Sequence, residues 1–247
     1  GPDILMLRND WLPQHYEKLV AAPTSVITYD QYKERFPDVV IKDNTTSDGT
    51  IYGLPWSIDT LVLFYNKDMF AQKAKEYEDA GYYDYARETL ETPPWNWTKL
   101  IEVSKIFTQK DGNNIKRAGI AMGTANNVDK AEDILTAIMM QNGTSMLDQN
   151  YQNATFNLST TKESGELYYP GTKALDFYTA FADPGTDWYT WNDSMPNSVD
   201  AFMQQKAAML IHYPYSTITF SQNAPSLNYG IGPLPQIAGA EKSVDYA

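Results

Sequence analysis

Aromatic residues fall beside aspartate, asparagine or a second aromatic at several points of this chain: Asn9-Asp10-Trp11, Trp56 with Asp59, Trp188 with Trp191, and Tyr213 with Tyr215. Tyr and Trp present a flat apolar face and a polar tip. A sugar ring presents the complement, apolar C–H faces rimmed by hydroxyls. Stacking on such side chains, with hydrogen bonds from Asp and Asn, suits a carbohydrate. Any one large aromatic fills a core just as readily. The grouping at strand ends and in loops is what points to a ligand.

Other chemistries lack their parts. The chain has no Cys, which excludes disulfides, thiolate nucleophiles and Cys-ligated metals. His15 and His212 are the only histidines, too few for a His-based zinc site. No Gly-x-Ser-x-Gly elbow is present, and Gly119 and Gly123 lack the rest of a nucleotide-binding fingerprint. Acidic residues are plentiful, so a two-carboxylate glycosidase stays open, although no spacing marks the pair. No catalytic residue, metal or cofactor is therefore assigned. The net charge of −12 repels phosphate backbones and argues against nucleic acid. No run approaches the ~20 apolar residues of a membrane span, and no apolar signal segment opens the chain.

Those residues must be positioned by a scaffold, and its pattern is legible. With 247 residues, 43% hydrophobic and carrying 18 Tyr, 9 Phe and 6 Trp, the chain is ordinary globular material for one large domain or two modest ones. Ile4–Leu7 reads as a buried strand, which puts residues 9–11 at a strand end, where ligands of open α/β sheets collect. Residues 28–39 read as a helix ending at Pro37, and residues 51–55 as entry to a second strand system. The run 61–65 reads as a strand covered on both faces. Helices are predicted over 68–91 (interrupted at Gly81), 99–108 behind a Thr98 cap, 129–141, 172–182 and 199–206. Strands are predicted at 118–122, 208–211 and 229–232. Residues 144–170 read as polar with hairpin turns at Gln149-Asn150 and Asn153-Ala154. Alternation of strands and helices gives an α/β class. The abrupt first and last residues point to a piece of a longer protein.

One stretch carries a resemblance. Gly53-Leu54-Pro55 followed by Asp59-Thr60-Leu61-Val62-Leu63-Phe64-Tyr65-Asn66-Lys67-Asp68 resembles the family 1 extracellular solute-binding proteins of bacterial ABC importers, the group that contains maltose-binding protein. Four further pieces agree in order. They are Gly1-Pro2-Asp3-Ile4 with Asn9-Asp10, Pro93-Pro94-Trp95-Asn96-Trp97-Thr98-Lys99-Leu100, Phe202-Met203-Gln204-Gln205-Lys206-Ala207-Ala208-Met209, and Tyr229-Gly230-Ile231-Gly232-Pro233-Leu234-Pro235. Two departures stand out: Asn96 replaces a Thr, and Gln205 replaces a Gly.

The resemblance implies a two-lobed periplasmic-binding-protein type II-like α/β fold, incomplete in its first lobe. Residues 1–58 would be part of the first lobe, 59–66 the first hinge crossing, 67–242 the second lobe, and 243–247 the start of a second crossing. The implied site has Asn9 and Asp10 as polar contacts and Trp11 as a stacking face, at a position where the family varies. Asp59 would accept bonds from sugar hydroxyls, an ionised carboxylate being an acceptor that strengthens each bond. Tyr215 would be the stacking platform of the second lobe. Asn126 or Asn127 would reach the cleft, Trp191 would line it, and Trp56 and Tyr213 complete the set. Trp97 reads as structural. Implied too are a carbohydrate ligand, a membrane permease as partner, a monomer, an extracytoplasmic place (periplasmic or lipid-anchored at the outer face of the membrane), and no enzyme activity. Rival readings are a glycosidase, a receptor for a peptide, polyol or opine, and a secreted glycoprotein. The last draws on Asn-x-Ser/Thr sequons at Asn44, Asn96, Asn142, Asn153, Asn157 and Asn192.

Overall fold

The computed structural model describes residues 2–148, 152–162, 164–240, 243–244 and 246; the side chains of Asp10 and Pro13 lie outside that set. The chain resolves into two compact units, one of the first 59 residues and one of Thr60–Tyr246.

The first unit is small. Single-turn helices at Asn9–Trp11 and Tyr16–Lys18 flank α1 (Leu12–His15), and α2 (Tyr29–Arg35) and α3 (Asp38–Asn44) follow. Thr28 and Gln31 form a reciprocal cap that starts α2: Thr28 Oγ1 accepts the Gln31 N–H, and Gln31 Oε1 accepts the Thr28 N–H. Pro37 then separates α2 from α3, and α3 places Val40 and Ile41 in a core with Ile27, Tyr32 and Ile51. The buried Tyr32 ring donates its hydroxyl to the Gly53 carbonyl at 2.9 Å.

Two expected strands are absent from this unit. Ile4–Leu7 is irregular, with Ile4 90% exposed, and Ile51 makes one isolated bridge to Thr45 where a strand was expected. A strand needs a paired neighbour and a face to bury. The described residues of this unit supply neither to Ile4–Leu7, so its apolar pattern alone does not make it a strand.

The second unit holds the sheet. In order come β1 (Val62–Asn66), α4 (Lys67–Asp79), α5 (Tyr83–Leu90), α6 (Trp97–Phe107), β2 (Gln109–Asp111), β3 (Asn114–Ile120) and α7 (Ala131–Gln141). Then follow β4 (Thr160–Thr161), β5 (Leu167–Tyr168), α8 (Pro170–Ala180), α9 (Ser198–Met203), β6 (Ala207–His212), α10 (Ser216–Asn223) and β7 (Tyr229–Pro233). Five strands form one sheet in the order β2-β3-β6-β1-β7, and β4 and β5 form a separate hairpin. The Gln149-Asn150 turn lies outside the described residues, as do Asp245 and Ala247 of the last segment.

Local chemistry explains the boundaries. Asn66, buried at the end of β1, accepts the Met69 N–H and starts α4. Gly81, at φ +89°, breaks the predicted 68–91 helix into α4 and α5. Asn96, rather than Thr98, caps α6 by accepting the Lys99 N–H at 2.8 Å. That bond and its burial also deny the Asn96 sequon to a glycan. Gln205 has φ +58°, the left-handed region that favours glycine. The Gly-to-Gln departure thus falls where the backbone wants Gly.

The core is aromatic. Phe64 meets Phe220 edge-on at 5.2 Å, and Phe202 and Tyr229 complete the cluster beneath the sheet. Val62 pairs with both His212 and Pro233, so β6 and β7 end at the edge where β1 begins. β3 runs parallel to β6 and ends on the same side. One edge of the sheet therefore carries three strand C-termini.

Two outcomes follow. Gln205→Gly relieves the left-handed strain, and denaturation should show a gain of up to about 1 kcal/mol after the entropy cost of Gly. Burial pushes Tyr32 from 10.0 up to about 12, and burial with the neighbouring Glu102 does the same for Tyr85. The stability these neutral phenols contribute is complete below pH 10 and is lost as pH rises through about 12. Stability measured across that alkaline window should fall, and the fall should shrink in Tyr32→Phe.

Candidate ligand-binding site

The strand C-termini of the second unit gather the site. After β6 the chain turns through Tyr213-Pro214-Tyr215 into α10, with the Ser216 N–H donating to the Tyr213 carbonyl at 3.1 Å. The rings of Tyr213 and Tyr215 lie nearly parallel, 5.9 Å apart at 15°, and Tyr215 is 48% exposed. Two stacked phenols at a strand end make an apolar surface with polar rims. The neighbouring strand β3 sends the segment 121–130 to the same edge.

That segment is tightly braced. Asn127 Oδ1 accepts from Trp191 Nε1 at 2.9 Å and from Thr124 Oγ1. Its Nδ2 donates to the carbonyls of Asn192 and Met195. The Asn127 carbonyl accepts the Ser198 N–H, and Ser198 Oγ accepts the Asp129 N–H. Asn127 thus spends its amide on the protein itself. Asn126 is exposed on the same turn.

Lys130 follows in a left-handed backbone, φ +65°, just ahead of α7. Its ammonium lies within electrostatic reach of Tyr215, Asp129 and Asp133. Burial works to lower its pKa, but Tyr215, Asp129 and Asp133 outweigh that and hold it above the ordinary value. Beneath the two rings lies His212, with Nε2 at 3.0 Å from Asp129 Oδ2 and Nδ1 at 2.5 Å from Ser216 Oγ. A Ser, a His and an Asp in line resemble a hydrolytic triad. Ser216 is only 2% exposed, however, so no substrate carbonyl reaches its hydroxyl.

The other expected site residues divide. Trp191 is a correction: it is fully buried with its Nε1 bonded to Asn127, and it lines no open surface. Trp188 likewise packs, nearly parallel to Phe181. Trp97 is structural as read, donating to Gln141 Oε1. In the first unit, Asn9 Nδ2 donates to Asp43 Oδ2 at 2.7 Å, tying the first turn to α3. Trp11 is half exposed and Trp56 is 91% exposed. Asp59 is partly buried and engaged. The side chain of Asp10 lies outside the described residues.

Sequence reasoning missed His212, Asp129, Lys130 and Ser216. The signal for His212 and Ser216 was local: a polar residue closing an apolar strand, and a hydroxyl four places on. Asp129 is 83 positions from His212, and only the parallel β3–β6 pairing brings it near. Among the described residues no group of three or more His, Asp or Glu could hold a metal ion.

The fold of this mixed sheet has counterparts among solved structures. The fold matches that of a protein solved with mannobiose bound, at 24% identity and a TM-score of 0.60 over 95% of this chain and 54% of that one. The chain belongs to the bacterial extracellular solute-binding protein family, whose model matches residues 1–244. A binding protein of Brucella abortus is 26% identical over 94% of this chain and 49% of its own length. The maltodextrin-binding protein of Bacillus subtilis is 25% identical over 82% of this chain and 41% of its own. The chain thus spans about half the length of the curated relatives it matches. These relatives are binding proteins rather than enzymes. No helix among the described residues is long and apolar enough to cross a membrane.

The bracing role of Asn127 is testable. Asn127→Ala leaves an indole N–H, a hydroxyl and two carbonyls short of a partner, and should cost about 1–3 kcal/mol of folding stability. Denaturant titration reads it.

Proposed function

We propose that this protein receives a neutral sugar or oligosaccharide on the Tyr213–Tyr215 face and passes it to the permease of an ABC importer. The observation that carries the reading is the nearly parallel pair of phenols at the end of β6, Tyr215 exposed and Tyr213 partly buried behind it, with the Lys130 ammonium nearby. Family membership supports the transport role. The maltodextrin and mannobiose of its relatives support the ligand class.

Tyr215 supplies the stacking surface, with Tyr213 behind it. Lys130 donates to hydroxyl oxygens at the rim. Residues 1–58 belong to a first lobe and 67–242 to a second. Asn9, Asp10, Trp11 and Trp56 are first-lobe contacts, Asp59 is the hydroxyl acceptor at the start of the crossing 59–66, and 243–247 begins a return crossing. No bond is made or broken. Closure of the lobes on the sugar adds contacts that the open state lacks, and that difference in affinity shifts the population. The protein works as a monomer outside the cytoplasm, in the periplasm or lipid-anchored at the outer face of the membrane.

Calorimetry of the intact protein against a panel of oligosaccharides, including maltotriose and mannobiose, tests this. Heat should appear with at least one. Tyr215→Ala and Asp59→Ala should each weaken that binding by about 1–3 kcal/mol, through lost stacking or a lost charge-assisted bond. Silence across the sugars beside a clear response to a peptide defeats the reading.

A further inference from the structure

His212 closes β6 with every other residue of that strand buried and with its own ring 1% exposed. A polar ring in that place must find partners. The Tyr213 N–H points at Nδ1 from 2.8 Å, and a backbone N–H can only donate. Nδ1 is therefore the lone-pair nitrogen. The Ser216 hydroxyl, 2.5 Å away, donates to the same lone pair. The Tyr213 carbonyl is farther, at 3.4 Å from Nδ1. The ring proton is left on Nε2, which gives it to Asp129 Oδ2 at 3.0 Å.

One ring thus clips two loops. On the β6 side it holds Tyr213 and Ser216, the residues on either side of Pro214-Tyr215. On the β3 side it holds Asp129, whose neighbour Lys130 lies within electrostatic reach of Tyr215. Tyr215 in turn sets its ring edge-on to His212, at 5.3 Å and 83°. Tyr215 is accordingly supported by the imidazole edge and by the stacked ring of Tyr213. An exposed ring left to rotate would have to be ordered again with each ligand, which weakens binding.

We propose that His212, as the neutral Nε2–H tautomer anchored by Asp129, is the positioning residue that holds Tyr213 and Tyr215 in the arrangement a ligand stacks on. This rests on the reading of Tyr215 as the stacking face. His212 itself touches no ligand and acts through the turn.

The test uses the protein with 15N-labelled histidine and ring-labelled tyrosine, first with no sugar present. NMR should show the Nε2–H tautomer at His212 and through-space contacts between the rings of Tyr213 and Tyr215. Asp129→Ala should lose those contacts. Asp129→Asn, whose amide oxygen still accepts from Nε2–H, should keep them. His212→Phe keeps ring volume and should lose them as well; if it does not fold, the Asp129 pair still decides. Maltotriose and mannobiose binding should fall about tenfold in Asp129→Ala and stay within about twofold in Asp129→Asn.

An Nδ1–H tautomer overturns the inference, as does an unchanged ring pair in Asp129→Ala. So does an Asp129→Asn that loses as much as Asp129→Ala, which would make the carboxylate charge itself the determinant. If the ring contacts respond as expected but Tyr215→Ala binds both sugars normally, the positioning stands and the stacking reading falls.

Discussion

The site depends on one constraint: β6 is a central strand buried along its whole length. Ala207 to Ile211 are fully covered, and the strand ends on His212 before the chain is clear of the core. An imidazole in that place is affordable only with its nitrogens satisfied. Their satisfaction recruits the turn after β6 on one side and the segment after β3 on the other. The stacked phenols, the edge-on contact of Tyr215 with the imidazole and the Asp129 contact all follow from it. The arrangement of the two phenol rings is thus a by-product of satisfying a buried imidazole.

The supporting layer behaves the same way. Asn127, a side chain of the type a sugar would seek, gives all its bonding to Trp191, Thr124, Asn192 and Met195. Through Ser198 the bracing continues to Asp129. The loop that carries Lys130 is thus rigid without a helix or strand of its own. Bracing of this kind lowers the ordering cost that an exposed ring would carry on binding.

Much of the scaffold was legible from periodicity. The continuous apolar run at 61–65 marked β1 within one residue, because a strand buried on both faces needs no alternation. Ile4–Leu7 shows the limit of the same signal: an apolar run without a pairing neighbour stays irregular and exposed. α10 escaped notice because Ser216–Asn223 is rich in Ser and Thr, and only Phe220 is a large anchor buried in the core. At the site, Tyr213 and Tyr215 were legible as a pair of aromatics at a strand end. Trp191 was not distinguishable from them by type, since burial is decided by packing against residues far along the chain. Asp129 and Lys130 were invisible for the same reason: strand pairing, and not spacing, carries them to Tyr215.

The central claim is that the carboxyl edge of the second unit's sheet is the ligand face. Amide chemical-shift mapping during titration of the intact protein with maltotriose and with mannobiose tests it most directly. The account predicts that within the second unit the largest shifts fall on Tyr213, Tyr215, Ser216 and the segment 126–130, with α4 and α5 unmoved. Saturable shifts centred on α4 and α5, with Tyr213 and Tyr215 unmoved, would contradict it.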